Sequence, residues 1–591
     1  MHPELTETLT REDDMATPSL TRRRALQLGT LLTLGLPLTA CTPESQPEPQ
    51  TSAEAETSRT FTFAQAAHVL TLDPLATTRI ESHRISAQIL EPLLKADPNT
   101  GLPQPGLAST WEMSDDQLTY TFTLASGISL SNGTPVTAST VITSIDRWKK
   151  ISEGPLSTIT APVAYLFKSP AEDSAPLVSS YQADGDTTLT ITLSRPSVSF
   201  LQALTQPACA IVAPEIIGPD GLLTQDPIGT GPYLISSKTD GDITLTLNPH
   251  YRGEQPEITE LTFVTIPDAE KRYYHLLQGT IDAYDQVGLK DYVPLALEGY
   301  PVQSRDPFCI SYITINMSHP AFDDARVRRA LARAIDRSKI VADYYPQGTT
   351  AARDFVPALF QTRNEDIGSA YSYAPETAQS LLRASTYANQ PIDFYYPTNV
   401  STPYLPSPEA IYSIISANLV EAGFNIVPKP YSWADDRSED IASTHPNYGL
   451  ELTGLIGTYR DPAAFLTQVL APAASAPASL SQDGPAQATA SASPTPPQAD
   501  PSPTDPANEP TRVSTSYRLI YQAIQEADTL ADLAERREAY RAINASMADY
   551  LSAVPLAYPV SGVVEGPRVH RYSVNATTLD DFATVQLTQG A

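Results

Sequence analysis

Three short stretches of the chain alternate apolar and polar residues with a period of two. They are Leu118–Leu124, Thr187–Ser194 and Asp242–Asn248. Successive side chains of a β-strand point to opposite faces, so this period is typical of a strand with one buried face. The pattern therefore predicts three strands in the first half of the chain.

A period near 3.6 governs other stretches, which predict helices. The clearest runs from Asp323 to Tyr344. Its apolar positions form one stripe along a helix, and they are Val327, Ala330, Leu331, Ala334 and Ile335. Pro408–Ala422 and Tyr517–Met547 are also predicted to be helical. Because strands and helices alternate along the chain, the sequence predicts an α/β protein.

Residues 471–512 break both patterns. This segment consists almost wholly of Ala, Pro, Ser, Thr, Gln and Asp, and Leu480 is its only large aliphatic residue. Such a composition offers too little apolar surface to form a core. We interpret it as a disordered surface insertion, and a glycosylated or wall-spanning stalk is the alternative.

The beginning of the chain carries an export pattern. Arg22, Arg23 and Arg24 precede an uncharged, mainly apolar run that ends at Ala40, directly before Cys41. The run is shorter than the ~20 residues that cross a bilayer as a helix, and a basic flank before a short apolar core is typical of a secretory signal. A membrane anchor or a buried helix is the alternative interpretation.

Residues 38–41 (Leu-Thr-Ala-Cys) resemble the lipobox of bacterial lipoproteins, and residues 21–26 resemble a twin-arginine export signal. In lipoproteins this Cys is acylated and becomes the first residue of the mature protein. The resemblance therefore implies a signal peptide at 1–40 and lipidation of Cys41. Residues 41–59 are rich in Pro, Glu, Ser and Thr, which predicts a flexible tether.

Length and charge limit the remaining possibilities. The chain has 591 residues, too many for one hydrophobic core, which predicts at least two lobes. Its formal net charge of −29 argues against nucleic acid as a partner, because phosphates are bound by Lys and Arg. Cys209 and Cys309 remain after Cys41, and they form either a disulfide or two buried thiols.

No sequence motif indicates catalysis. The chain lacks His-Glu-x-x-His, Cys-x-x-Cys, Gly-x-Ser-x-Gly and the phosphate-binding Gly-x-x-x-x-Gly-Lys-Ser/Thr pattern. We therefore expect no resident metal and no cofactor. The absence of these motifs favours a binding protein over an enzyme.

Gly127–Val141 contains the run Asn-Gly-Thr-Pro-Val-Thr-Ala, and Asp226–Ile235 contains Gly-Thr-Gly-Pro-Tyr. The first segment resembles the signature, and the second a turn, of the solute-binding proteins of ABC importers, family 5, which bind peptides or nickel. Further similar segments are Leu70–Thr78, Ile89–Asp116, Asn248–Asp268, Leu276–Asp282 and Tyr312–Arg337. The similarity extends from about Phe61 to Tyr572.

The resemblance implies a two-lobed clamp of the periplasmic-binding-protein type, in its large peptide-binding form with three subdomains, built from mixed sheets with flanking helices. Lobe one would comprise residues 60–308 and 555–591, and lobe two residues 309–554, including the insertion. The implied function is capture of a peptide between the lobes and delivery to an ABC permease with its ATPase subunits. A non-peptide solute, such as a glycoside or metal chelate, an exported sensor and an exported hydrolase are the alternatives.

In peptide-binding relatives, a segment similar to Gly454–Pro462 lies in the cleft and supplies an Asp that binds the α-ammonium. Thr458 stands at that position here. Because an ammonium removed from water needs a compensating charge, either Asp461 or another carboxylate replaces it, or the ligand has no free amine.

Other cleft positions of the family are matched by residues spread over the whole chain. The full set of implied ligand-binding residues is Glu81, Ser82, Gln286, Tyr312, Thr314, Thr398, Asn399, Trp433, Leu455, Thr458, Tyr459 and Asp461. Trp433 is also compatible with core packing, and Glu81 with an exposed acid at a helix start. We further expect an exported monomer that is either held at the outer face of the cell membrane by its lipid or located in the periplasm.

Overall fold

The computed structural model describes residues 59–588 with several gaps. The gaps are 99, 155–160, 169–174, 240, 365–366, 368–369, 434–440, 442–444 and 475–516. The predicted signal peptide, Cys41 and all of the tether except Arg59 lie outside the described residues. So does most of the predicted insertion, although its first four residues end the helix Ala463–Ala474.

The strands are short and spread over the whole described chain. They are β1 (Thr60–Gln65), β2 (Leu94–Ala96), β3 (Pro103–Pro105), β4 (Ala108–Met113), β5 (Thr119–Leu124), β6 (Val178–Asp184), β7 (Thr188–Leu193), β8 (Tyr233–Lys238), β9 (Ile243–Leu247), β10 (Glu260–Thr265), β11 (Ala283–Asp285), β12 (Val302–Ser304), β13 (Cys309–Ile315), β14 (Thr350–Ala351), β15 (Ile392–Thr398), β16 (Ile426–Ser432), β17 (Leu450–Ile456), β18 (Ala553–Tyr558), β19 (Gly562–Glu565), β20 (Val569–Arg571) and β21 (Gln586–Leu587). The three strands predicted from the period of two are confirmed as β5, β7 and β9.

Helices alternate with these strands. They are Ile80–Ile89, Ala138–Ser152, Ala161–Phe167, Phe200–Ala203, Ala269–Leu277, Tyr292–Leu297, Ala325–Ala334, Arg337–Tyr344, Pro375–Arg383, Pro408–Ala422, Ala463–Ala474, Tyr517–Ala527 and Leu533–Tyr550. The helix predicted at Pro408–Ala422 is confirmed. It ends because Gly423 adopts the left-handed conformation with φ of 106°.

Two predicted helices are each interrupted by an aspartate. The stretch from Asp323 to Tyr344 breaks at Asp336, whose side chain accepts a hydrogen bond from the backbone N–H of Lys339. The stretch from Tyr517 to Met547 breaks before Asp532, whose side chain accepts from Ala534 and Glu535. A capping Asp begins a new helix because it satisfies backbone donors that have no partner within that helix.

Two large sheets form separate lobes. The first has seven strands in the order β12-β19-β11-β1-β10-β9-β8, and the second has six in the order β14-β18-β13-β17-β15-β16. We call 59–304 with 562–588 the first lobe and 309–558 the second lobe. The first lobe is discontinuous in sequence, because β19, near the end of the chain, lies between β12 and β11 in its sheet.

The chain crosses between the lobes twice, at two adjacent places. It leaves the first sheet after Ser304 and enters the second at Cys309, and it returns between Tyr558 and Gly562. The backbone N–H of Arg305 donates to the carbonyl of Ser561, so the two crossings lie side by side. The return lies after residue 555, because β18 pairs with β13 and β14 as far as Tyr558.

A third, four-stranded sheet (β4-β5-β7-β6, the small sheet) belongs to the first lobe by sequence. Its core includes Phe122 and Trp148, and the same apolar cluster continues into Leu466 and Ile524 of the second lobe. The small sheet therefore packs on the second lobe as well. Cys209 and Cys309 are both buried free thiols.

Candidate functional site

Each of the two large sheets contributes the carboxyl ends of its parallel strands to the candidate site. β1 is parallel to β10 and β11 in the first sheet, and β15 is parallel to β16 and β17 in the second. In open α/β sheets, ligands bind beyond the carboxyl ends of parallel strands. Gln65 and Gln286 occupy that position in the first lobe, and Trp433 and Thr458 occupy it in the second.

The lobes touch each other at these edges. The guanidinium of Arg79 lies over the indole ring of Trp433, 4.5 Å from its centroid. Ala67, which follows β1, packs in one apolar cluster with Tyr431 and Trp433. A cation over an aromatic face and the burial of apolar surface both favour this contact. Residues from both lobes therefore enclose the site.

The first-lobe side of the site is held by buried arginines. Arg84, on the helix Ile80–Ile89, forms an ion pair with Asp285 at the end of β11, and both side chains are buried. Arg272 donates to the carbonyl of Gln286 at 3.1 Å and also to those of Ile266 and Pro267. These bonds fix the first turn of the helix, with Glu81 and Ser82, next to Gln286.

Many buried polar atoms at these edges have no hydrogen-bond partner among the described residues. They are Gln65 Oε1, both carboxyl oxygens of Glu81, Ser82 Oγ, the amide atoms of Gln286, Trp433 Nε1 and Thr458 Oγ1. Thr314 Oγ1 is also unpaired there, but Thr314 pairs with Glu451 at the opposite end of β17 and does not lie at this edge. Native proteins pair nearly all buried polar groups, because an unpaired one costs about 1–3 kcal/mol. Unpaired atoms also occur elsewhere, as at Trp148 in the core of the small sheet, but those at the facing edges of the two lobes are placed to bond to a polar ligand.

Glu81 has the most unusual environment of these residues. It is 1% exposed, so the sequence alternative of an exposed helix-capping acid is wrong. Burial raises its pKa to about 7, with a further increase from Asp285, while its own backbone N–H, Arg84 and Arg79 lower it. Perturbed acids of this kind concentrate at functional sites.

The backbone at the site is also unusual. Gln286 and Asn399 follow β11 and β15, and their φ angles are 56° and 57°. Non-glycine residues adopt this left-handed region only when the surrounding structure compensates the cost, and such residues concentrate at functional sites. Asn399 is nevertheless exposed, whereas Gln286 is 5% exposed with its amide unpaired among the described residues.

Asp461 belongs to a different environment, and the hypothesis that it binds a ligand ammonium is not supported by its contacts. Its carboxylate pairs with Arg536 and accepts from the hydroxyl of Tyr540 at 3.1 Å and the N–H of Ala463 at 2.8 Å. Arg536 also contacts Asp528 at 3.3 Å. The charge of Asp461 is therefore neutralised within the fold.

Thr458 and Tyr459 lie just before this ion pair. The ring of Tyr459 stacks on Tyr165 of the first lobe, with centroids 6.3 Å apart. A Cβ added at Gly457 would lie 2.5 Å from the rings of Phe308 and Phe465, so glycine is required for this close approach. The segment Gly454–Pro462 thus contacts the helix Ala161–Phe167 of the first lobe, and the hydroxyls of Thr458 and Tyr459 are both unpaired within the described chain.

The remaining predicted residues pack in the core or bond to the backbone near the site. Tyr312 and Leu455 are 5% and 7% exposed and belong to the large apolar cluster, and Tyr312 packs edge-on against Phe355. Thr398 donates to the carbonyl of Tyr431 at 2.9 Å. Its own carbonyl accepts from the N–H of Trp433. These residues support the site through packing and backbone contacts.

The sequence analysis missed Gln65, Arg79 and the pair of Arg84 with Asp285. Gln65 ends β1, a strand that was not among the predicted ones, and Arg84 is 201 residues from Asp285. Arg79 directly precedes the helix Ile80–Ile89, and this position was its one local signal in the sequence. Among the described residues, no group of three or more His, Cys, Asp or Glu side chains is arranged to hold a metal ion.

No helix in the described part of the chain combines the length and the apolar character that a membrane crossing requires.

A family model described as "Bacterial extracellular solute-binding proteins, family 5 Middle" matches residues 103–477. Heme-binding protein A of Haemophilus influenzae is 26% identical over 466 residues, which cover 75% of this chain and 83% of that protein. The dipeptide-binding protein of Escherichia coli is 26% identical over 386 residues, which cover 63% of this chain and 71% of that protein.

The chain is also similar to solved structures. One is the periplasmic binding protein DppA from Helicobacter pylori in complex with the peptide STSA. Its TM-score is 0.72 at 21% identity, and the match covers 90% of this chain and 99% of that structure. A likeness at this identity concerns the fold, and it confirms the predicted α/β clamp with two lobes.

Proposed function

Because this chain belongs to the bacterial extracellular solute-binding proteins of family 5, we propose that it captures short peptides between its two lobes for import. A further relative, from Brucella ovis, is named as a putative ABC transporter peptide-binding protein, and the family is one of solute-binding proteins. The chain is therefore a binding protein and not an enzyme. The family predicted from the sequence is thereby confirmed.

The set of unpaired polar atoms at the facing edges supports this proposal most directly. Ser82 and Gln286 come from the first lobe, and Trp433 and Thr458 from the second. A ligand that bonds to both sets stabilises the state in which the lobes touch, because those bonds are incomplete when the lobes separate. The lobes would therefore close on the solute about the adjacent crossings at 305–308 and 559–561.

A peptide suits these groups because its backbone alternates donors and acceptors. The indole N–H of Trp433 donates to carbonyls, Glu81 accepts from N–H groups when ionised, and the amide of Gln286 does both. The relatives named above bind heme in one case and dipeptides in the other, according to their names. A non-peptide solute with the same alternation is the alternative, and the experiment below distinguishes the two.

Delivery completes the proposed function. Acylation at Cys41 would hold the mature protein at the outer face of the membrane, next to the permease and ATPase subunits of an ABC importer. A single acyl chain binds a membrane only marginally, so more than one would be required for stable attachment. Metabolic labelling with a palmitate analogue tests this part, because Cys41→Ala should abolish incorporation.

Mass spectrometry under native and then denaturing conditions tests the ligand. We expect the protein purified from its own cells to release compounds of peptide composition on denaturation. Release of a single non-peptide mass would assign the site to another solute. A protein that releases nothing and binds no member of a peptide mixture would contradict the proposed capture.

A further inference from the structure

Glu81 differs from every other buried carboxyl group that the structure describes. Asp73, Asp285, Asp461 and Asp580 each pair with an arginine. Glu91 binds Lys95 and Arg252, and Asp354 accepts from Tyr558 and the N–H of Val356. Within the described residues, only Glu81 has both oxygens buried without a hydrogen bond from another residue.

The neighbouring cations do not satisfy this carboxyl group. Arg84 is committed to Asp285, and Arg272 donates to three backbone carbonyls. Arg79 lies over the ring of Trp433. These arginines are close enough to influence Glu81 electrostatically, yet the fold supplies no bond from their N–H groups to its oxygens.

Among the residues that the structure describes, the acids of the opposite lobe considered for a ligand cation already have partners. Thr458 supplies a hydroxyl, the charge of Asp461 is neutralised by Arg536, and Glu451 interacts with Tyr431. A positively charged group brought out of water requires a compensating charge with good geometry. Within the described part of the site, Glu81 is the acid that meets this requirement.

We propose that Glu81 binds a primary ammonium group of the solute, so that the first lobe, and not the segment Gly454–Pro462, recognises the positive end of the ligand. This inference rests on the proposed capture of a solute. An ammonium has three N–H donors, and two of them can satisfy the two unpaired oxygens of Glu81. The third remains for a neighbouring acceptor such as Ser82 Oγ or Gln65 Oε1, both unpaired among the described residues.

Binding of this kind depends on pH. Glu81 must be ionised to compensate the ammonium, and among the described residues the charged groups that act on it are Arg79, Arg84 and Asp285, together with Arg272. Because burial raises the pKa of Glu81 to about 7, the ionised fraction falls as the pH drops below neutral. A solute bound through a neutral Glu81 that donates a hydrogen bond would show the opposite dependence.

The test uses the full chain and a synthetic library of peptides of two to four residues without Lys, Arg or His. Half of the library has free N-termini and half is N-acetylated. After equilibrium dialysis at pH 7.5, mass spectrometry quantifies each retained member. We expect free-amine members to be retained at least 10-fold better than their acetylated forms, and we expect Glu81→Gln to abolish that preference. Glu112→Gln, an exposed acid on β4, is the matched control and should bind as the wild type does.

A second measurement needs no variant, in case Glu81→Gln fails to fold. Retention of free-amine peptides by the wild type should fall roughly 20-fold between pH 7.5 and pH 5.5, as expected for an acid with a pKa near 7. Equal retention of free and acetylated peptides, or tighter binding at pH 5.5, would overturn the role of Glu81 while leaving peptide capture intact. Retention of neither form would instead contradict the proposed function itself.

Discussion

Glu81 and Asp461 are two buried carboxyl groups in the same protein with opposite surroundings. Burial raises the pKa of Glu81 to about 7 and that of Asp461 to about 6. Asp461 has a guanidinium, a phenol and a backbone N–H as partners, whereas the carboxyl oxygens of Glu81 have no partner from another residue within the described chain. Burial alone therefore does not distinguish a structural acid from a binding one, but the presence of partners does.

The partners of Asp461 also show what it does. Arg536 joins it to Asp528, which accepts from the hydroxyl of Ser197 and, at 2.9 Å, from the N–H of Ser199. Both serines belong to the first lobe and precede the helix Phe200–Ala203. The ion pair thus holds together the second lobe and its contact with the first, and this role does not require a ligand.

The largest expected effect comes from removing the paired acid. We expect Asp461→Asn to lower the free energy of unfolding by about 3 kcal/mol, because Arg536 stays buried with one carboxylate fewer. Urea denaturation at pH 7 measures it. Asp343→Asn is the control, because its pair with Lys339 is exposed and should cost less than about 1 kcal/mol. A loss for Asp461→Asn no greater than that for Asp343→Asn would show that the ion pair is not structural.

The unpaired acid should behave in the opposite way. The pKa of Glu81 rises from its ordinary 4.5 to about 7 on folding, so the ligand-free wild type loses stability as the pH increases from 4.5 through 7. Glu81→Gln removes this loss, and its stability relative to the wild type should rise by up to about 3 kcal/mol between pH 4.5 and pH 8. Denaturant titrations at both pH values measure the difference.

The control for this prediction is again Glu112→Gln, whose stability relative to the wild type should not change with pH. If the stability of Glu81→Gln changes with pH in the same way as that of the wild type, Glu81 is ionised throughout this range or has a partner in solution. The contrast with Asp461 would then disappear. A saturating amine ligand should also reverse the order at pH 8, because it stabilises only the wild type.

The sequence predicted the class of fold, but it could not separate these two acids. Alternation of apolar residues identified β5, β7 and β9 because that period follows directly from strand geometry. Asp461 was a reasonable candidate because it follows Thr458 by three positions. Its partner Arg536 lies 75 residues further along the chain, and no local pattern indicates that contact.

The same limit explains the helices that were predicted too long. Asp336 and Asp532 are polar residues within helical patterns, and only the structure shows that their side chains cap a new helix. The role of Trp433 was also undecided by sequence, because a tryptophan packs equally well in a core. The structure places its N–H among the unpaired donors of the described site.

Two tryptophans in the described chain have an indole N–H without a hydrogen-bond partner. Trp433 lies at the site, and Trp148 lies in the core of the small sheet. We expect Trp433→Phe to weaken peptide binding by about 1 kcal/mol, the typical worth of one hydrogen bond, because phenylalanine keeps the ring but lacks the donor. Trp148→Phe should leave affinity unchanged, although it can lower stability. Calorimetric titration with a retained peptide measures both, and equal effects would mean that unpaired atoms do not mark the ligand surface.

The smallest expected effect concerns the two left-handed residues, Gln286 and Asn399. Glycine adopts positive φ without the cost that a Cβ imposes, so Gln286→Gly should raise the free energy of unfolding by about 0.5–1 kcal/mol. Asn399→Gly should change it less, because asparagine tolerates this region better than glutamine. Only Gln286→Gly should also weaken peptide binding, since it removes an amide whose two polar atoms are unpaired among the described residues. Thermal denaturation and titration of both variants separate the two effects. Unchanged affinity in Gln286→Gly would mean that the unusual backbone at this position serves the fold and not the ligand.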